Sequence, residues 1–226
     1  MFPKMCLYCG KPVKDRESFL CPICKDLLIS EAAEGCLSCG KAFAQCRCKP
    51  TMLHGRTLIA SMPYKSENSV FRQMILLSKK RKNAYVLNDI ALRMASAIRE
   101  NGIEDGWALT YVPRSPKAVN YIGHDQAKEL AKRISSILKL PLVKTLYCKE
   151  TNLEQKMLDI SGRKVNAQKR FYIPKRKSKI IYGSSFILID DVVTSGATAN
   201  RCLELLHRYG ADKTICVSGA RSVKYI

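Results

Sequence analysis

The chain has 226 residues, 46% of them hydrophobic, which is enough for one full-sized core and a small additional module. No run approaches the ~20 apolar residues of a membrane-spanning helix, and the N-terminus lacks the apolar core of a signal peptide, so we expect a cytoplasmic protein without membrane insertion. The formal charge of +20 leaves two interpretations open, a polyanionic partner such as a diphosphate or nucleic acid, or simply a solubilising surface.

The cysteines are concentrated at the N-terminus, where eight of the eleven lie between Cys6 and Cys48. In a reducing compartment this clustering indicates metal binding rather than disulfides. The eight form four close pairs, Cys6 with Cys9, Cys21 with Cys24, Cys36 with Cys39, and Cys46 with Cys48. Two such pairs in series suit a tetrahedral site with four thiolate ligands, so the sequence predicts one or two structural Zn²⁺ ions.

Residues 1–55 are therefore predicted to be a double zinc ribbon, with the boundary near Lys49 and Pro50. Cys46 and Cys48 have one spacer instead of two, and His54 is an alternative ligand for that site. A segment this short with little core needs the free energy of zinc binding to fold. A structural role or a contact with another protein is favoured over DNA binding, because the module itself carries little charge.

Residues 56–226 alternate strand-like and helical patterns. Strands are predicted at 57–64, 107–112, 186–189 and 214–218, and helices at 69–78, 84–99, 124–140 and 199–209. This alternation predicts an α/β fold with a parallel sheet flanked by helices on both faces. Residues 149–182 are polar and basic, with only 170–173 strand-like, which is typical of a functional loop or a linker.

The sequence 186–198, FILIDDVVTSGAT, is an apolar strand followed by two carboxylates and a hydroxyl-rich turn into a helix. Backbone amides and the helix dipole at such a turn favour a phosphate, and Gly196 permits close backbone approach. We expect the 5-phosphate of a sugar to bind here, at the residues Val192, Val193, Thr194, Ser195, Gly196, Ala197 and Thr198.

Asp190 and Asp191 would repel a phosphate directly, but one sugar-length away they suit the hydroxyls of a ribose. There they also help to orient a diphosphate that carries Mg²⁺. An ordinary strand–turn–helix is the simpler interpretation, and it is disfavoured because adjacent buried acids are costly without a ligand role. The chain has no G-x-x-x-x-G-K-[ST] motif, so it is not a P-loop NTPase.

The thirteen residues 186–198 resemble the motif with which type I phosphoribosyltransferases bind phosphoribosyl pyrophosphate (PRPP). The wider chain resembles the ComF family, competence-associated proteins that join a double zinc ribbon to a phosphoribosyltransferase domain. Two further segments carry that resemblance. Residues 112–114 (VPR) with 123–127 (GHDQA) are similar to a Val-Pro segment leading to Gly-Phe-Asn-Gln-Ala, with His124 and Asp125 as departures. Residues 151–166 are similar to a loop with Thr, Gln, Leu, Arg and Asn in that order.

The resemblance implies a PRPP site with Mg²⁺, in which Arg114 and Lys117 contact the diphosphate. Residues 151–166 resemble a mobile lid, whose closure brings Arg163 or Lys164 to the reacting centre, beside Asp190 and Asp191. Single-stranded DNA and proteins of the competence machinery are the implied partners.

Three hypotheses follow. The chain is a phosphoribosyltransferase with an unidentified acceptor, a DNA-handling protein whose loop binds a nucleotide or phosphate without turnover, or a regulatory module that senses PRPP. The sequence does not indicate the oligomeric state, although related domains often dimerise.

Overall fold

The structure is a computed structural model that describes residues 4–15, 18–33, 36, 56–64, 68–80, 83–103, 105–150 and 170–222. Its centre is a four-stranded sheet formed by β1 (Thr57–Tyr64), β2 (Trp107–Tyr111), β5 (Ser185–Val193) and β6 (Thr214–Ser222). The strand order is β1-β6-β5-β2 and every pairing is parallel. The predicted α/β fold is therefore confirmed, with β5 and β6 as the two central strands.

Helices cover both faces of this sheet, because β5 is apolar on both. Ile187 and Ile189 pack into the larger core with α3 (Ala84–Glu100) and α5 (Gln126–Leu138). Phe186 and Leu188, which alternate with them, face the smaller core beneath α7 (Ala197–Arg208). The apolar stripe of α3, formed by Leu87, Ile90, Ala91, Met94 and Ile98, is wholly buried.

Several boundaries differ from the sequence expectation. Strand β5 runs four residues past Ile189, so the two acids lie within the strand and not after it. Helix α5 begins at Gln126 instead of His124, because the Asp125 side chain caps it by accepting the N–H of Lys128. Strand β6 extends to Ser222, and α7 begins two residues before the predicted start.

Three helices were not predicted. Helix α1 (Pro22–Ala33) lies in the cysteine-rich segment, and α4 (Pro116–Ile122) follows β2. Ser115 as the N-cap and Pro116 at the first position are recognisable start signals for α4. The third, α6 (Ser178–Ile181), is a single turn after a 3₁₀ turn at Lys175–Lys177.

The predicted helix from residue 69 to residue 78 is α2 (Val70–Lys80). A short antiparallel pair of strands, β3 (Tyr147–Cys148) and β4 (Phe171–Tyr172), lies on either side of residues 151–169, which are outside the described residues. Within the described ranges, the structure contains no helix of the length and apolarity that a bilayer crossing requires.

Candidate functional site

The acidic pair lies at the carboxyl edge of the sheet, where parallel strands direct their ligands. Alternation along β5 places Asp190 toward the α7 side and Asp191 toward the α2 and α3 side. The backbone N–H of Asp191 donates to Asp190 Oδ1 at 2.9 Å, and that of Val192 donates to Asp191 Oδ1 at 2.8 Å. The two carboxylates nonetheless line the same two adjoining pockets, since the sheet ends beside them.

The turn after β5 forms the larger pocket, of about 220 Å³. Gly196 has φ of 82°, in the left-handed region, and is the N-cap of α7. No protein acceptor among the described residues takes the N–H of Thr194, Ser195 or Gly196, which leaves these amides available to an anion. The pocket is lined by Val112 and by the continuous run from Asp190 to Ala199, which contains every residue that the sequence predicted for the phosphate.

The second pocket, of about 150 Å³, adjoins the first along Val112, Asp190, Asp191 and Thr198. Its far wall contains Arg114, whose buried Nη1 atom has no hydrogen-bond partner within the described structure. The backbone N–H of Arg114 donates to Asp125 Oδ2 at 3.1 Å, which links the loop after β2 to the start of α5. Asp125, which stands where the similar family motif has Asn, therefore both caps α5 and anchors the loop after β2. The unpaired guanidinium nitrogen of Arg114 lies in the same pocket as the two acids.

The other predicted cations fall elsewhere. Lys117 is exposed on α4 and is not among the residues that line either pocket. Arg163 lies outside the described residues. Arg170 lines the second pocket and donates from Nε to Cys148 Sγ at 3.1 Å. Sequence reasoning missed this role of Arg170, because the strand-like run 170–173 that it begins does not show which partner its side chain meets.

A second cation that was not assigned to this site is Lys79, from the end of α2. Its Nζ lies 3.0 Å from Asp191 Oδ2, which otherwise has no hydrogen-bond partner in the described structure. The residue before it, Ser78, is fully buried, and its carbonyl oxygen contacts His124 Nε2 at 2.7 Å. Gln126 donates from Nε2 to the Ser78 hydroxyl. The end of α2 is thus held against the start of α5, and this fixes the approach of Lys79 to the acids.

Burial raises the pKa of Asp190 well above its usual value, and the charge of Asp191 raises it further. The N–H of Asp191 and the Lys79 ammonium act in the opposite direction and lower the pKa. Cys202 and Cys216, which face Asp190 from α7 and β6, have pKa values raised by burial and by the Asp190 charge, so both are neutral thiols at physiological pH. The protein therefore maintains a costly buried acid at the edge of an open pocket, which is typical of a ligand site.

Four N-terminal cysteines converge as the sequence predicted. The Sγ atoms of Cys6, Cys9, Cys21 and Cys24 all lie within 4.8 Å of one another, and Cys9 and Cys21 are separated by 3.6 Å. A tetrahedral zinc with Zn–S bonds of about 2.3 Å has S···S edges of about 3.8 Å, so this donor set fits Zn²⁺.

Local backbone geometry at this cluster also suits a metal-bound thiolate. Burial raises the pKa of Cys6, but the backbone N–H groups of Cys9, Cys21 and Tyr8 outweigh it and lower the pKa to about 6. Burial and the neighbouring thiols raise the pKa of Cys24. Gly10, in the turn that follows the first pair, adopts φ of 72°, in the left-handed region that favours glycine.

The second predicted zinc site is described only at Cys36, which is buried. Arg221 of β6 donates from Nη2 to Cys36 Sγ at 3.2 Å, so this cysteine is in contact with the sheet domain. Cys39, Cys46, Cys48 and His54 lie outside the described residues.

Comparison with known proteins agrees with this geometry. The family model described as "Phosphoribosyl transferase domain" matches residues 125–222, somewhat less than half of the chain. That range contains α5, β5, the turn, α7 and β6. This part of the chain therefore has a phosphoribosyltransferase-type fold, and β1, β2, α2 and α3 complete the sheet and its cover from outside the matched range.

Solved structures that match part of the chain include glutamine phosphoribosylpyrophosphate amidotransferase from B. subtilis, complexed with ADP and GMP, at 12% identity and a TM-score of 0.46 over 67% of this chain. The allosteric regulatory enzyme of purine biosynthesis matches at 15% identity and 0.41 over 59%. Phosphoribosylpyrophosphate synthetase from Mycobacterium smegmatis matches at 14% and 0.36 over 61%. The matches span 31%, 25% and 34% of those chains, respectively. No curated protein matches the chain by sequence.

Proposed function

We propose that this protein binds PRPP together with Mg²⁺ in the two adjoining pockets and transfers the phosphoribosyl group to an acceptor. The observation that carries the proposal is the shared wall of Asp190 and Asp191 between an amide-lined pocket and one that contains an unpaired Arg114 nitrogen. The first pocket suits the 5-phosphate, the acids suit the ribose hydroxyls, and the second pocket suits the diphosphate.

The chemistry required of the chain is mainly positioning and charge neutralisation. Displacement of pyrophosphate from C1 passes through an oxocarbenium-like state and leaves a highly charged group. Mg²⁺ would bind as a complex with the diphosphate and neutralise part of its charge. Arg114 is proposed to contact the diphosphate, Lys117 to support it from α4, and Arg163 to approach when the segment 151–166 closes and excludes water.

The role of Arg114 is tested by titration calorimetry with two ligands, Mg²⁺–PRPP and ribose 5-phosphate. Arg114→Met should lower the affinity for Mg²⁺–PRPP by about tenfold or more, which corresponds to the loss of one charge-assisted contact, and should leave ribose 5-phosphate unchanged. Arg208→Met is the matched control, because Arg208 is exposed at the far end of α7 and lies outside both pockets. If wild-type protein binds neither ligand, the proposed function is wrong. If Arg114→Met weakens both ligands equally, the assignment of the second pocket to the diphosphate is wrong.

Turnover is a separate question from binding. We expect Mg²⁺-dependent consumption of PRPP with one member of a panel of bases, lost in Asp190→Ala and Asp191→Ala. Binding without turnover for every base would favour the alternative, in which the protein senses PRPP.

A ComF-like role in handling single-stranded DNA during natural transformation is the finer proposal. Its support is the charge of +20 and the zinc-compatible module joined to this domain. Because phosphate contacts release counterions, binding of a single-stranded oligonucleotide should weaken steeply as salt is raised. A flat salt response, or no binding at low salt, would remove this role. Lys79, the first residue of the basic run 79–82, is already paired with Asp191, so a DNA path along that run would have to rely on the later residues.

A further inference from the structure

We propose that Lys79 is a specificity-determining residue of the sugar-phosphate site, where its ammonium competes with the sugar hydroxyls for Asp191. This inference rests on the proposed function, and it concerns a residue that neither the matched family range nor the resemblance assigns to the site. The pair is close, at 3.0 Å from Nζ to Oδ2, and it joins residues that are far apart in the chain.

The contact is built by the fold. Helix α2 ends at Lys80, and the preceding residue Ser78 is anchored to the start of α5 by His124 and Gln126. Because this end of α2 is anchored, the backbone of Lys79 has a fixed position from which its side chain reaches Asp191. The Asp191 side chain is 13% exposed, whereas that of Lys79 is 34% exposed, so the ammonium has room to move into solvent while the carboxylate stays in place.

Occupation of Asp191 has a chemical consequence. The Asp191 Oδ2 atom is buried and lies against the Lys79 ammonium. A carboxylate oxygen has two lone pairs, but a ribose hydroxyl reaches this buried one only when the ammonium withdraws. A sugar with that hydroxyl gains a hydrogen bond to Asp191 but loses the ion pair between Lys79 and Asp191. A sugar without the hydroxyl binds while the ion pair stays intact. Lys79 therefore reduces the preference of the site for a sugar that carries the hydroxyl.

The size of the effect follows from the exposure of the pair. A partly exposed ion pair contributes little, so removing Lys79 should raise the affinity ratio between the hydroxyl-bearing and the deoxy sugar by only about threefold. The lost positive charge also weakens the attraction for any phosphate, but it does so equally for both sugars. Their ratio therefore isolates the competition at Asp191.

The experiment measures by calorimetry the affinities of the full chain for ribose 5-phosphate and for its 2-deoxy and 3-deoxy analogues. Lys79→Met should raise the ratio of ribose 5-phosphate to one of the two analogues about threefold. Lys79→Arg, which keeps the charge, should restore the wild-type ratio. Lys132→Met is the matched control, since Lys132 is also ion-paired, with Glu129 at 3.2 Å, and lies outside both pockets.

The outcomes are distinguishable. If wild-type protein binds neither PRPP nor ribose 5-phosphate, the proposed function and this inference fail together. If wild-type protein binds and Lys79→Met leaves both ratios unchanged, the inference fails alone. The inference is also wrong if Lys79→Met loses affinity equally for all three sugars. It is wrong as well if urea unfolding shows a folding defect that Lys79→Arg shares, because either result assigns Lys79 a structural role.

Discussion

Glu31 Oε2, near the end of α1, accepts a hydrogen bond from the hydroxyl of Ser69 at 3.0 Å, immediately before α2 begins. The same carboxylate accepts the N–H of Val70 at 2.7 Å and that of Phe71 at 3.1 Å. A helix of the cysteine-rich segment thus supplies the acceptor for the first amides of a helix in the sheet domain. The negative charge also opposes the positive end of the α2 dipole.

Replacement of this cap should destabilise the protein. Glu31→Gln removes the charge and leaves an amide nitrogen toward the α2 amides, so we expect the free energy of unfolding to fall by ~1–3 kcal/mol. Asp26→Asn on the exposed face of α1 is the control and should change stability little. Urea unfolding of both variants measures the difference. Equal stability of the two variants would mean that Glu31 does not support α2.

Removal of the Asp190 charge should stabilise the protein while it abolishes ligand binding. Burial and Asp191 raise the pKa of Asp190, so the unfolded chain releases this proton at a lower pH than the folded protein does. Above the usual value of 3.8 the stability of the wild type therefore decreases with pH through this group. Asp190→Asn has no carboxyl group at this position and therefore does not lose stability in this way. Many functional sites show the same trade-off between stability and function.

The measurement for Asp190 is a series of urea unfolding curves from about pH 4 to about pH 8, a range that begins near the usual carboxyl pKa. The variant should gain stability over the wild type as pH rises, and the gain should disappear toward the acidic end of the range. Asp105→Asn, at an exposed position, should show no such trend. A variant less stable than the wild type at the alkaline end would mean that the carboxylate contributes native contacts that outweigh its burial.

Gly196 should be required for the phosphate pocket. An alanine there must adopt φ near 82°, which costs ~1–2 kcal/mol, so the substitution strains the turn that lines the proposed phosphate pocket. We expect Gly196→Ala to lower the affinity for ribose 5-phosphate by about tenfold or more. Gly183→Ala is the control, because Gly183 also has positive φ, of 71°, an added Cβ there meets open space, and the residue lies outside both pockets. Similar affinity in the two variants would disprove backbone contact with the phosphate.

Zinc content tests the cysteine-rich segment. We expect two zinc ions per wild-type chain and one in Cys9→Ser/Cys21→Ser, with a lower melting temperature because metal binding supplies folding free energy to this segment. Cys148→Ser, far along the chain, should keep both ions. Elemental analysis of purified protein gives the count. A single ion in the wild type would mean that Cys36, Cys39, Cys46 and Cys48 do not form a second site.

From the amino-acid sequence alone we could predict the α/β class, the helix at 84–99 and the hydroxyl-rich turn that follows the two acids. These features are local, since periodic apolar residues and a hydroxyl-rich turn show their role within a few neighbouring residues. The close approach of Cys6, Cys9, Cys21 and Cys24 was also readable, because metal-ligand spacing is a short-range pattern.

Which distant groups meet the acids depends on the packing of the whole domain. Lys79 lies far before Asp191 in the chain, and Arg170 reaches the second pocket from the residue directly before β4; neither contact leaves a trace in local spacing. The contact between Glu31 and α2 is equally invisible in the sequence. A charged side chain on a helix end satisfies the same local pattern whether it faces water or a partner, so its role is fixed only when packing of the whole domain brings the partner to it.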